Sequence, residues 1–373
     1  MDAAFSPPSE SELLHVLALT KIQGIGPVTA RNLIAWCKGA EAVFRAAPSQ
    51  LRKIPDIGDA TIKAMRPTQA LEAAEIELDI CRTHGIEPIP FYAAAYPAPL
   101  KVIHNAPLVV YQKGHTNLNA TLGIAVVGTR KPTPYGKMWA VRFAEAFALR
   151  GLNVVSGLAY GIDGEAHRAA LQVGGITTAV LAHGFDRIYP PQHTDLARRI
   201  IDGGGALLTE YPWGTKLDPN FFPQRNRIIS GLCRAVVIVE AASKGGALIT
   251  AQYGFEQDRE VYAVPGSLGV RTSEGCNELI RRQIAQLVTD PQQVLEQLQQ
   301  QIERVQPNLF TPSPVMLSVE EQQILNALEQ RQQTIDELAE RLGMPPGRLF
   351  SLLLELEFKG LVEQQPGRKF RRC

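Results

Sequence analysis

The chain has 373 residues, with 38 Lys and Arg against 37 Asp and Glu and 45% hydrophobic residues. That length predicts two or three domains, and the composition is globular, which excludes global disorder. A formal charge of +1 means that any contact with nucleic acid rests on a local basic patch, not on bulk charge.

The opening "MDAAFSPPSESELLHVL" lacks a basic segment followed by an apolar core. No stretch approaches the roughly 18 apolar residues that a membrane span needs. The five cysteines (Cys37, Cys81, Cys233, Cys276, Cys373) are scattered without a C-x-x-C pair, a poor start for a zinc site or a disulfide framework. The expectation is a cytoplasmic protein without metal or cofactor.

Residues 1–90 are expected to form a helical domain, with helical patterning over 11–87. Within it "LTKIQGIGPVTARNLI" (19–34) returns 32 positions later as "LRKIPDIGDATIKAM" (51–65). Ile22, Ile25 and Gly26 match Ile54, Ile57 and Gly58. Each copy is similar to a helix-hairpin-helix of the SAM-like kind, in which a glycine turn aims backbone N–H groups at a DNA phosphate. Asp56 replaces Gly24 in the second copy, and a carboxylate there repels phosphate. Two readings stay open: hairpins that touch DNA, or hairpins that merely pack together.

Residues 91–295 are expected as an α/β domain. Short β-branched runs alternate with amphipathic stretches at 123–128, 152–156, 177–182, 206–210, 235–241 and 261–266. Near-continuous apolar strands separated by helices predict a doubly wound, Rossmann-like parallel sheet covered on both faces. Residues 296–316, rich in Gln and Pro, are expected as a linker. Residues 317–373 predict three helices, the second opened by a Thr334–Glu337 capping box, then two short strands around Pro366-Gly367. That pattern resembles a winged helix. With eight Lys and Arg against nine Asp and Glu, the module is expected to contact protein more than DNA.

Ligands of open α/β sheets bind at the carboxyl ends of the strands. Those ends read Gly128-Thr129-Arg130, "SGLAYGID" (156–163), "AHGFD" (182–186), "EYPWG" (210–214), "EAASKGG" (240–246) and "PGSLG" (265–269). Arg130, Ser156, Asp163 and Lys244 therefore share one rim. Between the fourth and fifth strands, "PNFFPQRNRIISG" (219–231) puts Arg225, Asn226 and Arg227 where a helix is expected to begin after Pro223. Arginine forks pair with phosphate, and Phe221 or Phe222 offers a stacking platform for a base. The rim is thus read as a site for an extended polyanion.

Other chemistries fit less well. The chain has neither a P-loop nor a G-x-G-x-x-G after the first strand, and neither H-E-x-x-H nor G-x-S-x-G. His167, His183 and His193 read as packing or capping residues, and Asp163 as a helix cap. No nucleophile and base assemble, so a non-enzymatic protein is expected.

The ordered motifs "AVVGTRKPTPYG", "VVSGLAYGIDGEAH", "AVLAHGFDRIYPPQH", "FFPQRNRIISGL", "GGALITAQ" and "GCNELI" strongly resemble the DNA-processing protein A family, DprA or Smf, from about Tyr96 to Leu287. The resemblance implies a protein that binds single-stranded DNA, protects incoming DNA during natural transformation and loads RecA recombinase as a homodimer. It also implies single-strand binding protein as a further candidate partner. Carried over, the DNA site comprises Gly128, Thr129, Arg130, Ser156, Gly157, Phe222, Arg225, Asn226 and Arg227, with Lys244 added from the rim. Gly245-Gly246-Ala247 departs from the family's Ser-Gly-Ser, and Gln283-Ile284 from its Gly-Ala. The alternative is a nucleotide-processing enzyme of the LOG-like phosphoribohydrolase type, whose P-G-G-x-G-T-x-x-E motif "KGGALITAQ" fails to complete.

Overall fold

The computed structural model describes residues 9–54, 57–65, 67–305, 318–328, 333–358, 361–365 and 369–372. Asp56, Pro366-Gly367 and the end of the expected linker lie outside them. Two compact units emerge, Met1–Gln300 and Gln301–Cys373.

The first unit opens with helices Glu10–Thr20, Pro27–Cys37, Ala40–Arg45, Pro48–Leu51, Asp59–Ala64 and Pro67–His84. The sequence repeat is also a structural one. Ile25 N donates to Ile22 O at 3.2 Å and Ile57 N to Ile54 O at 3.3 Å. Gly26 and Gly58 then cap the following helices. All four isoleucines are buried in one core, which continues into Leu108, Val109 and Tyr111. Arg31 reinforces this seam by donating to His104 O and Ala106 O at 2.7 and 3.1 Å. The helical segment thus packs onto the α/β sheet.

That sheet has nine strands: β1 (Glu87–Pro90), β2 (Val109–Gly114), β3 (Gly123–Val127), β4 (Asn153–Ser156), β5 (Thr177–Val180), β6 (Ala206–Thr209), β7 (Cys233–Ile238), β8 (Glu260–Ala263) and β9 (Gln286–Leu287). Their order is β1-β2-β6-β5-β4-β3-β7-β8-β9. The expected parallel sheet runs from β6 to β9, but β1 and β2 add an antiparallel edge that the sequence reading did not contain. The apolar runs follow from burial on both faces. Ile124 and Val126 join one core with Phe143 and Phe147, while Ala125 and Val127 join another with Ile228 and Ile238. Chain order reverses at β3, which has β4 on one side and β7 on the other. A crevice at the carboxyl ends of β3 and β7 is the switch-point position where such sheets bind ligands.

Helix Pro291–Val305 runs into the expected linker, so its first part is helical. The second unit has helices Val319–Ala327, Ile335–Leu342 and Pro346–Phe358, with strands β10 (Gln333–Thr334), β11 (Val362–Gln365) and β12 (Lys369–Arg372) in the order β10-β12-β11. Ile324, Leu338, Leu349, Leu353, Leu356 and Phe370 form its own core. The Thr334–Glu337 capping box is present, and the unit is a winged helix. Among the described residues, no helix is long and apolar enough to cross a membrane.

Candidate nucleic-acid interface

A cleft of about 940 Å³ opens at the switch point, lined by residues that follow β3 and β7 and by the helix Phe221–Gly231. Gly128 leaves β3 because nothing larger fits. A Cβ there would lie 2.6 Å from Ile162 Cγ1 and 2.9 Å from Glu240 O. Thr129 N donates to Glu240 O at 2.7 Å, and Ile162 N donates to Thr129 O at 3.2 Å, so the turn is pinned to β7 and to the next helix. Arg130 is thereby projected outward, exposed, with its guanidinium carbon 5.3 Å from the centre of the Phe222 ring. Phe222 is half-buried in the wall and meets Tyr189 edge-on at 5.6 Å. Lys131 and Arg271, also exposed, complete a cationic lining. Among the described residues no carboxylate pairs with these three cations. An exposed arginine laid on an aromatic face suits a phosphate with a base beside it.

Helix Phe221–Gly231 begins two residues before Pro223, not after it, and this changes what its arginines do. Arg225 is buried beneath the cleft; its NH1 donates to Gly157 O at 2.7 Å and to Val180 O. Burial lowers its pKa to about 10, opposed by the Asp163 carboxylate. Asp163 accepts from Gly157 N at 3.1 Å, so it anchors the loop after β4 and does not cap its own helix. Burial pushes the Asp163 carboxyl up, against the pull of Arg225. Asn226 Nδ2 reaches Gly246 O at 3.3 Å and holds the helix to the start of the next one, Gly246–Glu256.

Six of the ten expected residues line the cleft: Gly128, Thr129, Arg130, Phe222, Arg225 and Asn226. The other four do not. Ser156 is fully buried and donates to Val126 O at 2.7 Å, stitching β4 to β3. Gly157 lies under the cleft, where a Cβ would meet the Arg225 guanidinium at 2.5 Å. Arg227 turns away and pairs with Glu210 at 2.5 Å, both largely buried. Lys244 is exposed in the loop after β7, outside the lining.

Glu240 is a structural member of the site that the motif reading passed over. Its carboxylate accepts from Thr133 N and Thr133 Oγ1 at 2.9 and 2.8 Å, while Thr133 caps the helix Pro134–Leu149. Its position at the end of β7, beside β3, was the available signal. The histidines are structural too. His183 accepts from Tyr189 N at 3.2 Å, and His193 Nδ1 meets Leu158 O at 2.8 Å. Among the described residues, no group of three or more His, Cys, Asp and Glu is placed to hold a metal ion.

His167 yields a pH prediction. The Thr177 hydroxyl donates to Val154 O at 2.5 Å, so His167 Nδ1, 2.6 Å away, carries the hydrogen, and Nε2 is left bare and buried. Burial lowers its pKa from 6.5 to about 3. Between those values the unfolded chain binds a proton that the folded chain refuses, so stability falls as pH falls through that window. At pH 5 the loss from this group is expected to be about 2 kcal/mol. Urea midpoints at pH 7.5 and 5 should therefore differ more for the parent than for His167→Gln; equal slopes would remove His167 as the cause.

The profile described as DNA recombination-mediator protein A matches residues 87–299, that of the DprA winged helix domain 310–368, and that of a SAM-like helix-hairpin-helix tandem 16–66. Protein Smf of Escherichia coli K12 is 39% identical over 283 residues, 75% of either chain. The X-ray structure of DNA processing protein A from Streptococcus pneumoniae, 32% identical, covers 76% of this chain and 97% of that one with a TM-score of 0.61. DNA processing protein A from Helicobacter pylori, whose structure concerns its single-stranded DNA binding mode, is 28% identical. It covers 58% of this chain and 96% of that one at a TM-score of 0.53. The chain belongs to the DNA recombination-mediator protein A family, DprA or Smf.

Proposed function

We propose that the cleft holds single-stranded DNA without reading its sequence, and that the protein catalyses no reaction on it. The observation that carries this reading is Arg130 over Phe222 in a cleft whose other exposed charges, Lys131 and Arg271, are also cationic. Phosphates meet the cations, and an unstacked base meets the ring, which a duplex does not offer. The Helicobacter pylori relative, described as binding single-stranded DNA, supports the same ligand here.

Filter binding should rank single strands above duplex and above free nucleotides. Phe222→Ala is expected to cost about 1–3 kcal/mol of single-strand affinity, with the melting temperature held. Early unfolding of that variant would make Phe222 a packing residue. Retention of a free nucleoside monophosphate, with release of its base, would favour the phosphoribohydrolase alternative and overturn the proposal.

By family kinship we extend the proposal to protecting incoming DNA and loading RecA during natural transformation, as a homodimer joined through the α/β domain in the cytoplasm. Single-strand binding protein is the further candidate partner. Light scattering reads the dimer directly, and a strict monomer at micromolar concentration would remove it. RecA filament assembly on strands coated with single-strand binding protein reads the loading. No acceleration by the protein would refute that part alone.

We assign the winged helix to protein contact. Arg348, in the helix that would enter a DNA groove, is taken by Glu320 at 2.7 Å. Ending the chain after Gln306 should change single-strand affinity by less than about tenfold. A larger loss, with the dimer intact, would make this module a DNA-binding element.

A further inference from the structure

A second hollow, of about 550 Å³, is lined from two segments that also line the cleft. Lys131, Arg271 and Thr272 line the cleft. Thr133, Val270 and Ser273, one or two residues along the same two segments, line the hollow. The cleft and the hollow thus draw on the same two segments. Tyr135 also lines the hollow and is 43% exposed, yet its hydroxyl donates to Pro265 O at 2.8 Å. Its ring also meets Trp139 edge-on at 6.2 Å, so it is held in place while still partly exposed. Val270 is 42% exposed, an apolar neighbour on a surface loop. The only carboxylate in the lining, Glu240, is buried and accepts from both donors of Thr133.

We infer that this hollow is a second nucleotide site, continuous with the cleft, in which the base of a flanking nucleotide rests on Tyr135 while its phosphate stays on Lys131 and Arg271. The inference rests on the reading that single-stranded DNA occupies the cleft. Two features select a nucleotide as the occupant. The cations line the cleft one or two residues from Val270 and Thr133 of the hollow, so a backbone passing from one to the other would bring a phosphate to them. A ring already fixed by its hydroxyl loses little freedom on stacking, and stacking tolerates any base. The protein thereby engages more of the strand than the Arg130–Phe222 station alone, with no sequence preference added.

Strand length separates this site from the cleft. Fluorescence anisotropy with the full chain would compare labelled oligothymidylates of about four and about twelve nucleotides. Tyr135→Ala is expected to weaken the longer strand by roughly tenfold and the shorter by less than about twofold. Tyr135→Phe keeps the ring and should follow the parent on both. Val270→Glu puts a charge in the hollow from an exposed loop, and carries the same test if Tyr135→Ala does not fold. Loss on neither strand, or equal loss on both, overturns the second site while Arg130→Ala still reports on the cleft. If Arg130→Ala also changes neither strand, the reading of the cleft fails and takes this inference with it.

Discussion

Arg130→Ala is expected to weaken binding of every single strand alike, by about 1.5–3 kcal/mol, while moving the melting temperature little. The magnitude is that of a charge-assisted contact to phosphate; the cation–π contact on Phe222 is made within the protein with or without DNA, so losing it touches stability by at most about 1 kcal/mol and not affinity. Stability is spared because Arg130 is exposed and its guanidinium holds no backbone group of the fold. If the residue touches one phosphate, the slope of affinity against salt should shrink by roughly 0.7, and the loss should be greatest at low salt. Arg130→Lys keeps the charge but not the planar fork, so it should recover only part of the loss. Unchanged affinity at low salt would show that the end of β3 is not where DNA binds.

Much of the fold was legible because the strands are buried on both faces. An apolar run of that kind has one common home, a parallel sheet covered by helices, and the rim follows from the direction of its strands. The antiparallel edge was not legible. Ile89 in β1 lies between Pro88 and Pro90, and prolines within a run belong to edge strands whose alternation is too short to read. The helical domain's attachment was hidden for another reason. Local periodicity says which residues of a helix are apolar, not that Ile22 and Ile54 share a core with Val109.

The site shows the same division between place and direction. Gly128, Thr129 and Arg130 were legible because a strand end must enter a turn, and a turn faces the crevice. Ser156 was misplaced because it closes a strand whose side chains alternate, and its hydroxyl turns inward to Val126 O. Arg225 and Arg227 were read as a pair, yet residues two apart on a helix lie about 200° around it and cannot share a face. Helical geometry alone was enough to foresee that only one of them points toward the cleft. What it leaves open is which one, and the sheet decides this by offering Gly157 O and Val180 O to Arg225 and a carboxylate to Arg227.

Arg225 is the residue on which the cleft stands, and its removal should be felt as lost stability before lost affinity. Its guanidinium joins the carbonyls of Gly157 and Val180, at the ends of β4 and β5, to the helix that carries Phe222. It also supplies the opposing charge for Asp163, whose carboxylate is buried in the same floor. Arg225→Ala strips two buried carbonyls of their donor and removes the charge that opposes the buried Asp163, a change expected to cost about 3–5 kcal/mol. Replacing both, as Arg225→Met with Asp163→Asn, removes the stranded charge and should cost less than the two single changes added together. Urea unfolding of the four proteins measures this coupling directly. Single-strand affinity, measured well below the unfolding midpoint, should fall for Arg225→Ala only as far as Phe222 loses its support. A stability within about 1 kcal/mol of the parent would mean that the guanidinium is spare in the floor and free to meet phosphate, reversing the structural role assigned to it.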